Sequence, residues 1–382
     1  MSGTAMRDAD ILIVGGGLSG LYAAWRLQQQ GIDWRLIEAR DTLGGRILSV
    51  PAAAAAQAPK TAGTREQTDR FDLGPSWFWP GYQHQLDRLV QQLGLERFEQ
   101  HENGDMMVEH SPHAPPVRMP GYVNSPPSMR LLGGMGSLID ALQQRLDSSR
   151  IVTGQAVRHL HCTDARLEID SEDASGRVTN WRASQVLLAV PPRLVVERIA
   201  FTPALPASLA QAWQATATWM APHAKYFALY DRPFWREQGL SGEARSTCGP
   251  LGEIHDASLP GGSAALFGFF GIPARLRQSV AEEVLRSHCR AQLARLFGPQ
   301  AVQPMAELFK DWAVDGHTAT VADGEGAAQH PQAPALGAAT GPWVGRLTGI
   351  GSEWSSQFPG YVAGAIDAAS RGLETLPAMR LP

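Results

Sequence analysis

The chain begins with a short apolar run, Ile11-Leu12-Ile13-Val14, and runs straight into Gly15-Gly16-Gly17-Leu18-Ser19-Gly20. Over residues 21–30 the apolar positions Leu21, Ala24 and Leu27 recur at helical spacing, and Gly31 ends the pattern. A second strand-like stretch, residues 34–39, carries Glu38 near its end. Strand, glycine turn, helix and strand in succession predict the βαβ unit of a doubly wound sheet. Helical spacing returns over residues 84–94, 135–146, 280–297 and 361–375. Strand-like runs fall at residues 156–161, 166–170, 186–190, 225–230, 264–270 and 344–348. Residues 49–69, with an alanine run between Pro51 and Pro59, read as a poorly ordered surface loop. Residues 101–130 read as loop with short strands, and residues 315–342 as loop.

Composition narrows the class. The chain has 382 residues, 44% apolar and 18% charged, which is ample for a buried core. A net charge of −4 with no basic run argues against nucleic acid as a partner. Cys162, Cys248 and Cys289 are too few and scattered for a disulfide framework, a CxxC pair or a zinc site. His159 and His161 alternate on one strand without a third ligand nearby, so no metal is expected. No apolar run is long enough to span a membrane, and the N-terminus lacks a secretory apolar region. A soluble, cytoplasmic α/β protein is the expectation, with the 39 glycines and 11 tryptophans pointing to tight turns and aromatic walls.

The glycine turn carries the first chemistry. In GxGxxG, Gly15 makes the tight turn, Gly17 lets a pyrophosphate approach the backbone, and Gly20 lets helix and strand pack closely. The phosphates then lie at a helix N-terminus, where free N–H groups favour anions. Glu38 stands where it can accept hydrogen bonds from a ribose, and its charge disfavours a 2′-phosphate. Arg40 and Gly44-Gly45-Arg46 follow at once; backbone N–H groups and a guanidinium there would turn back toward the pyrophosphate. That arrangement favours FAD over NAD. GxGxxG occurs once only, so the electrons are expected to come from an organic substrate rather than a nicotinamide.

The motifs together resemble the flavin-containing amine oxidase family (monoamine oxidases, polyamine oxidases, L-amino-acid oxidases and relatives). The resemblance covers nearly the whole chain. It rests on residues 10–20 with Glu38-Ala39-Arg40 and Gly44-Gly45-Arg46, and on Asp72-Leu73-Gly74-Pro75-Ser76-Trp77. Further pieces are Gly133-Gly134-Met135-Gly136-Ser137-Leu138, residues 186–192, residues 219–235 around Lys225, and residues 349–364.

The resemblance implies non-covalent FAD, since no cysteine lies where the family attaches its flavin. It implies that Gly15, Gly17, Gly20, Glu38, Ala39, Arg40, Gly45 and Arg46 hold the ADP half and pyrophosphate. Gly74, Pro75, Ser76 and Trp77 would lie along the flavin. Val157 would meet the adenine through its backbone, Ser352 and Glu353 would stand near the ribityl-pyrophosphate, and Val362 would face flavin O2 at the start of the last helix. Lys225 would hold a water near flavin N5, Trp312 would stand at the flavin side, and Tyr361 would form one wall of an aromatic cage for the amine. The second cage aromatic is missing after Trp312, where Thr318 to Ala322 stand; Trp354 or His317 could replace it. The segment between Arg46 and Val157 is short for the family, which implies a thinner roof over the substrate, and no membrane anchor follows the last helix.

The expected architecture is a Rossmann-like FAD domain (1–80, 133–213 and 336–382) interleaved with a smaller mixed-sheet substrate domain (81–132 and 214–335). The expected reaction oxidises the C–N bond of a small amine or amino acid to an imine, with O₂ or another acceptor reoxidising the flavin. Two alternatives stay open: a related FAD fold acting on C–C bonds, as in carotenoid desaturases or protoporphyrinogen oxidase, and a FAD-binding scaffold that has lost activity.

Overall fold

A computed structural model describes residues 7–52, 69–325 and 332–376. The opening strand Arg7–Val14 lies inside an eight-stranded sheet. It pairs in parallel with Trp34–Ile37 on one side and with Val178–Leu188 on the other. Beyond Trp34–Ile37 comes Ile151–Val152. Beyond Val178–Leu188 the sheet turns antiparallel through Leu167–Glu172 to Ala156–Cys162, and ends in Ala200–Thr202. Leu347–Gly349 adds a parallel partner to the end of Val178–Leu188. This is the expected doubly wound βαβ start within a mixed α/β protein.

Both faces of this sheet are covered, which explains the unbroken apolar run of the first strand. Ile11, Ile13 and Leu36 face the helices Leu18–Gln29, Gly136–Gln143 and Val362–Glu374 through Leu21, Leu27, Leu138 and Ile366. Leu12, Val14 and Ile37 join Trp181, Trp213, Trp343 and Trp354 on the opposite face.

A second, seven-stranded sheet runs in the order Ala306–Asp311, Ala224–Tyr230, Ala264–Phe270, Leu251–Asp256, Leu240–Ser246, Asp105–Glu109, Val117–Pro120. Along Ala224–Tyr230 the side chains alternate as a strand requires. Tyr226, Ala228 and Tyr230 pack toward the helix Glu282–Phe297, while Phe227 and Leu229 pack with Phe71 and Leu73 of the first half. The seam between the two halves therefore runs along the segment Phe71 to Trp77.

The structure departs from the sequence reading in several elements. Val178–Leu188 has 11 residues, far more than the expected 186–190. Leu240–Ser246, Leu251–Asp256 and Ala306–Asp311 are strands without the expected β-branched and aromatic enrichment: in Leu240–Ser246 the buried positions include Ser241, Ala244 and Ser246. Pro192–Arg198 and Ala207–Ala215 are helices, each opened by prolines. Ser49–Pro51 pairs with Arg70–Asp72, so the expected loop begins later, and residues 53–68 lie outside the described residues. Val321–Glu325 is a short helix within the expected loop, of which residues 326–331 lie outside the described residues. Among the described residues no helix is long and apolar enough to cross a membrane, and no three His, Cys, Asp or Glu residues gather as a metal-binding group.

Candidate active site

The glycine turn divides its labour as its geometry dictates. Gly15 has φ +107°, and a Cβ there would lie 2.8 Å from the Ala189 carbonyl oxygen. A Cβ on Gly20 would lie 2.0 Å from the Gly15 carbonyl oxygen, so only glycine lets the helix Leu18–Gln29 sit this close to the strand. Gly17 is different: its Cβ would meet nothing nearer than the Gly44 carbonyl oxygen at 3.9 Å, and it lines a cavity of about 290 Å³. A cradle that a side chain would fill, at a helix N-terminus, is what a dinucleotide pyrophosphate fits. Gly44 and Gly45, both at positive φ, bring the following turn against it; the Gly44 N–H donates to Gly16 O at 2.9 Å.

Glu38 is buried at this end. Its Oε2 accepts from Gly16 N at 2.6 Å and its Oε1 from Arg40 N at 2.8 Å. Arg40 reaches across to the second half, donating to Asp315 Oδ1 at 2.6 Å and Thr318 Oγ1 at 3.1 Å. Arg46 donates to Glu353 Oε1 and Oε2 at 2.5 and 3.0 Å, to Ser352 Oγ, and to the Trp219 carbonyl. Val362 opens the terminal helix after the extended cap residue Tyr361, so the positive end of that helix is turned to the cavity that both residues line.

At the other end sits Lys225. The sequence places it at the start of its strand, where exposure is the common outcome; the structure places it within Ala224–Tyr230, opposite Phe269 and Lys310, and 1% exposed. Nζ donates to Gly74 O at 2.6 Å, Ser76 Oγ at 2.9 Å and Asp72 O at 3.2 Å. The rings of Phe267 and Phe269 lie 4.7 and 4.8 Å from it. Burial pushes its pKa down to about 7, against the opposing charge of Asp72. Burial also raises the Asp72 carboxyl, whose Oδ1 accepts from Ser49 Oγ and from Met135 N at 2.9 Å. Gly74 is held by its neighbours: a Cβ would lie 1.9 Å from the Arg46 carbonyl oxygen.

Aromatic rings close the remaining wall. Trp77 donates its indole N–H to Gln100 Oε1 at 2.9 Å, and Trp79 donates to Ser128 Oγ at 2.9 Å. The Trp79 and Tyr361 rings meet edge to face with centroids 6.4 Å apart. Trp219, Met220 and Phe269 complete this stretch, and Met220 adopts φ +72°, a conformation side chains rarely take.

The cavity wall gathers Gly15, Gly17, Glu38, Arg40, Gly45, Arg46, Gly74, Pro75, Ser76, Trp77, Lys225, Ser352, Tyr361 and Val362. Gly20 stands behind the turn. Other expected residues stand off this wall. Trp312 is 1% exposed and off the wall; its indole donates to Leu73 O at 3.0 Å from behind the seam. Val157 is buried in the core of the first sheet, and Ala39 is likewise off the wall. Glu353, fully buried, acts through Arg46. Neither substitute for the second cage aromatic is in place: Trp354 packs against Trp213 and donates to Ala335 O, and His317 lines the wall beside Arg40 and Thr318, at the glycine-turn end. A ring that faces Tyr361 is Trp79, which the sequence reading passed over. Its signal was an extended i, i+2 relation to Trp77.

Comparison with known proteins bears on these features. Residues 111–372 match the family model of flavin-containing amine oxidoreductases, and residues 13–93 match that of an NAD(P)-binding Rossmann-like domain. The chain is similar to the probable flavin-containing monoamine oxidase A of Dictyostelium discoideum, 22% identical, covering 95% of this chain and 96% of that protein. That alignment runs over 470 positions, so the relative carries insertions. It is also 28% identical to the L-amino acid dehydrogenase of a Synechocystis strain, over 65% of this chain and 52% of that one. In fold it is similar to wild-type putrescine oxidase bound to putrescine, with a TM-score of 0.77 and 20% identity over 97% of this chain and 99% of that one. With a glycine-turn cavity, a seam between two sheets and a family model spanning most of its length, this chain belongs to the flavin-containing amine oxidoreductases.

Proposed function

We propose that this protein oxidises the C–N bond of a small amine to an imine, using FAD held without a covalent bond, and that O₂ takes up the two electrons and two protons as H₂O₂. Water then hydrolyses the imine. The observation that carries this reading is one continuous wall running from Gly17 and Glu38 to Lys225 and the aromatic rings. No cysteine lies on that wall among the described residues, which supports non-covalent binding. Bound FAD supplies the acceptor for a hydride from the amine α-carbon.

The chain's own residues do the rest. Gly15, Gly17, Gly20 and Gly45 shape the pyrophosphate cradle, Glu38 receives ribose hydroxyls, and Arg40 and Arg46 offset phosphate charge. The terminal helix, entered at Val362, favours negative charge near its N-terminus. Lys225 gives up one of its three protein acceptors, Asp72 O, Gly74 O or Ser76 Oγ, to hold a water and assist the step with O₂. Tyr361 and the neighbouring rings exclude water and orient the amine. Trp312 is a positioning residue that fixes the Leu73 carbonyl. The interleaved halves, 1–80, 133–213 and 336–382 against 81–132 and 214–335, serve as flavin and substrate domains. Three free cysteines suit a reducing, cytoplasmic setting.

The test is anaerobic titration of purified holoprotein with an amine panel, followed by air and a peroxide assay. Bleaching by an amine with peroxide on reoxidation is expected, and acid precipitation should leave all FAD in the supernatant. Flavin reduced by a polyene but by no amine would sink the reading.

A further inference from the structure

We infer that the substrate is a monoamine with an uncharged, apolar body seated against Trp79 and Tyr361, and that the site rejects both a second ammonium and an α-carboxylate. This inference rests on the amine-oxidising reading above and narrows it. It separates the chain from two of the proteins it resembles, one named for an L-amino acid and one bound to a diamine.

Among the described residues of the wall, the ionisable groups are Glu38, Arg40, Arg46, Lys225, His317 and Tyr361. Glu38 and Arg40 are occupied at the glycine-turn end, where His317 also lies. Arg46 is paired with buried Glu353. Lys225 directs its donors to Gly74 O, Ser76 Oγ and Asp72 O. The substrate stretch carries no carboxylate: it consists of Trp77, Trp79, Trp219, Met220, Phe269 and Tyr361, with the neutral Gln83 beside Trp79. The acids just behind it are turned away. Asp72 faces Ser49 and the Met135 N–H, and Glu253 is engaged by His255 Nε2 at 2.6 Å, whose ring meets Trp77 edge to face.

A second ammonium in such a stretch has no carboxylate partner among the described residues, and its low-cost form there is the neutral one. For an amine with a pKa of about 10.4, that leaves roughly one molecule in a thousand at pH 7.4. The reacting amine carries the same cost in a monoamine and a diamine, so the second group alone sets the discrimination. Among the described residues of the wall an α-carboxylate meets no uncommitted guanidinium and would have to take Lys225 from its two carbonyl acceptors and the Ser76 hydroxyl. Trp79 is the ring suited to grip the apolar body, because its indole is fixed by Ser128 and its backbone N–H by Gln83 Oε1 at 3.2 Å.

The matched probes are pentylamine, putrescine (methyl replaced by amine) and L-norleucine (pentylamine with an α-carboxylate). Each is titrated anaerobically into the holoprotein, reading Kd from the flavin absorbance perturbation and then the rate of flavin reduction. Pentylamine is expected to bind at least about 100-fold more tightly than either charged analogue. Trp79→Ala should raise its Kd about tenfold, Trp79→Phe should recover most of that loss, and Trp79→Glu should shift preference toward putrescine. Equal affinities, tighter binding of putrescine or norleucine, or no perturbation by any probe would overturn the inference. Tight pentylamine binding without reduction would uphold it and overturn the oxidation reading instead.

Discussion

Gly17 and Gly20 share one motif but tolerate change differently, because one faces a cavity and the other a carbonyl oxygen. Gly17→Val is expected to leave the unfolding midpoint near that of the flavin-free parent while flavin content per chain collapses; absorbance after gel filtration checks it. Gly20→Ala is expected to destabilise by at least about 1–3 kcal/mol, measured by urea denaturation, because backbone rather than a movable side chain must give way. Lys225 makes a pH statement. In the unfolded chain it stays protonated to about pH 10.4, but in the fold only to about 7, so the unfolded state binds more protons in between. Its contribution to stability therefore rises with pH from about 7 to 10.4. Lys225→Met should flatten that rise in urea midpoints and slow flavin reoxidation more than flavin reduction. Gly17 and Glu38 were legible in the sequence as cavity-lining residues because their geometry is set within one βαβ unit. The burial of Lys225 was not, because its acceptors at 72–76 are brought to it only by the docking of the two halves.

At the scale of elements, the turn carrying Trp219 and Met220 is held by a buried ion pair. Arg193, on the helix Pro192–Arg198, donates to Asp323 Oδ1 at 2.5 Å, and the same oxygen accepts from Thr218 N at 3.0 Å. Asp323→Ala strands a buried guanidinium, at a cost of about 3–5 kcal/mol in chemical denaturation. It should also raise KM with a smaller change in kcat, since the turn forms wall rather than reacting group. Elements with helical periodicity, such as Leu18–Gln29, or with an unbroken apolar run, such as Ala264–Phe270, could be read in advance. Leu240–Ser246 could not, because its buried face uses serine and alanine, and packing within the second sheet outweighs intrinsic preference there.

At the scale of the whole molecule, the proposed flavin lies along a cavity to which both halves contribute, and so acts as a brace between them. Removing it should lower the calorimetric midpoint, and added FAD should restore it in proportion to the logarithm of its concentration, about 2.7 kcal/mol at one hundred times Kd. A midpoint indifferent to FAD would contradict a seam-spanning site. The segment Phe71 to Trp77 has a consequence for modularity. It offers the second sheet three carbonyl oxygens and a hydroxyl: Asp72 O, Gly74 O and Ser76 Oγ to Lys225, and Leu73 O to Trp312. A foreign substrate half grafted onto this flavin half would have to bring an amine and an indole at the same register, or leave those acceptors dry. The two halves are thus exchangeable only as a matched set, and recombination libraries that cut between them should yield folded chimeras only where both donors travel together.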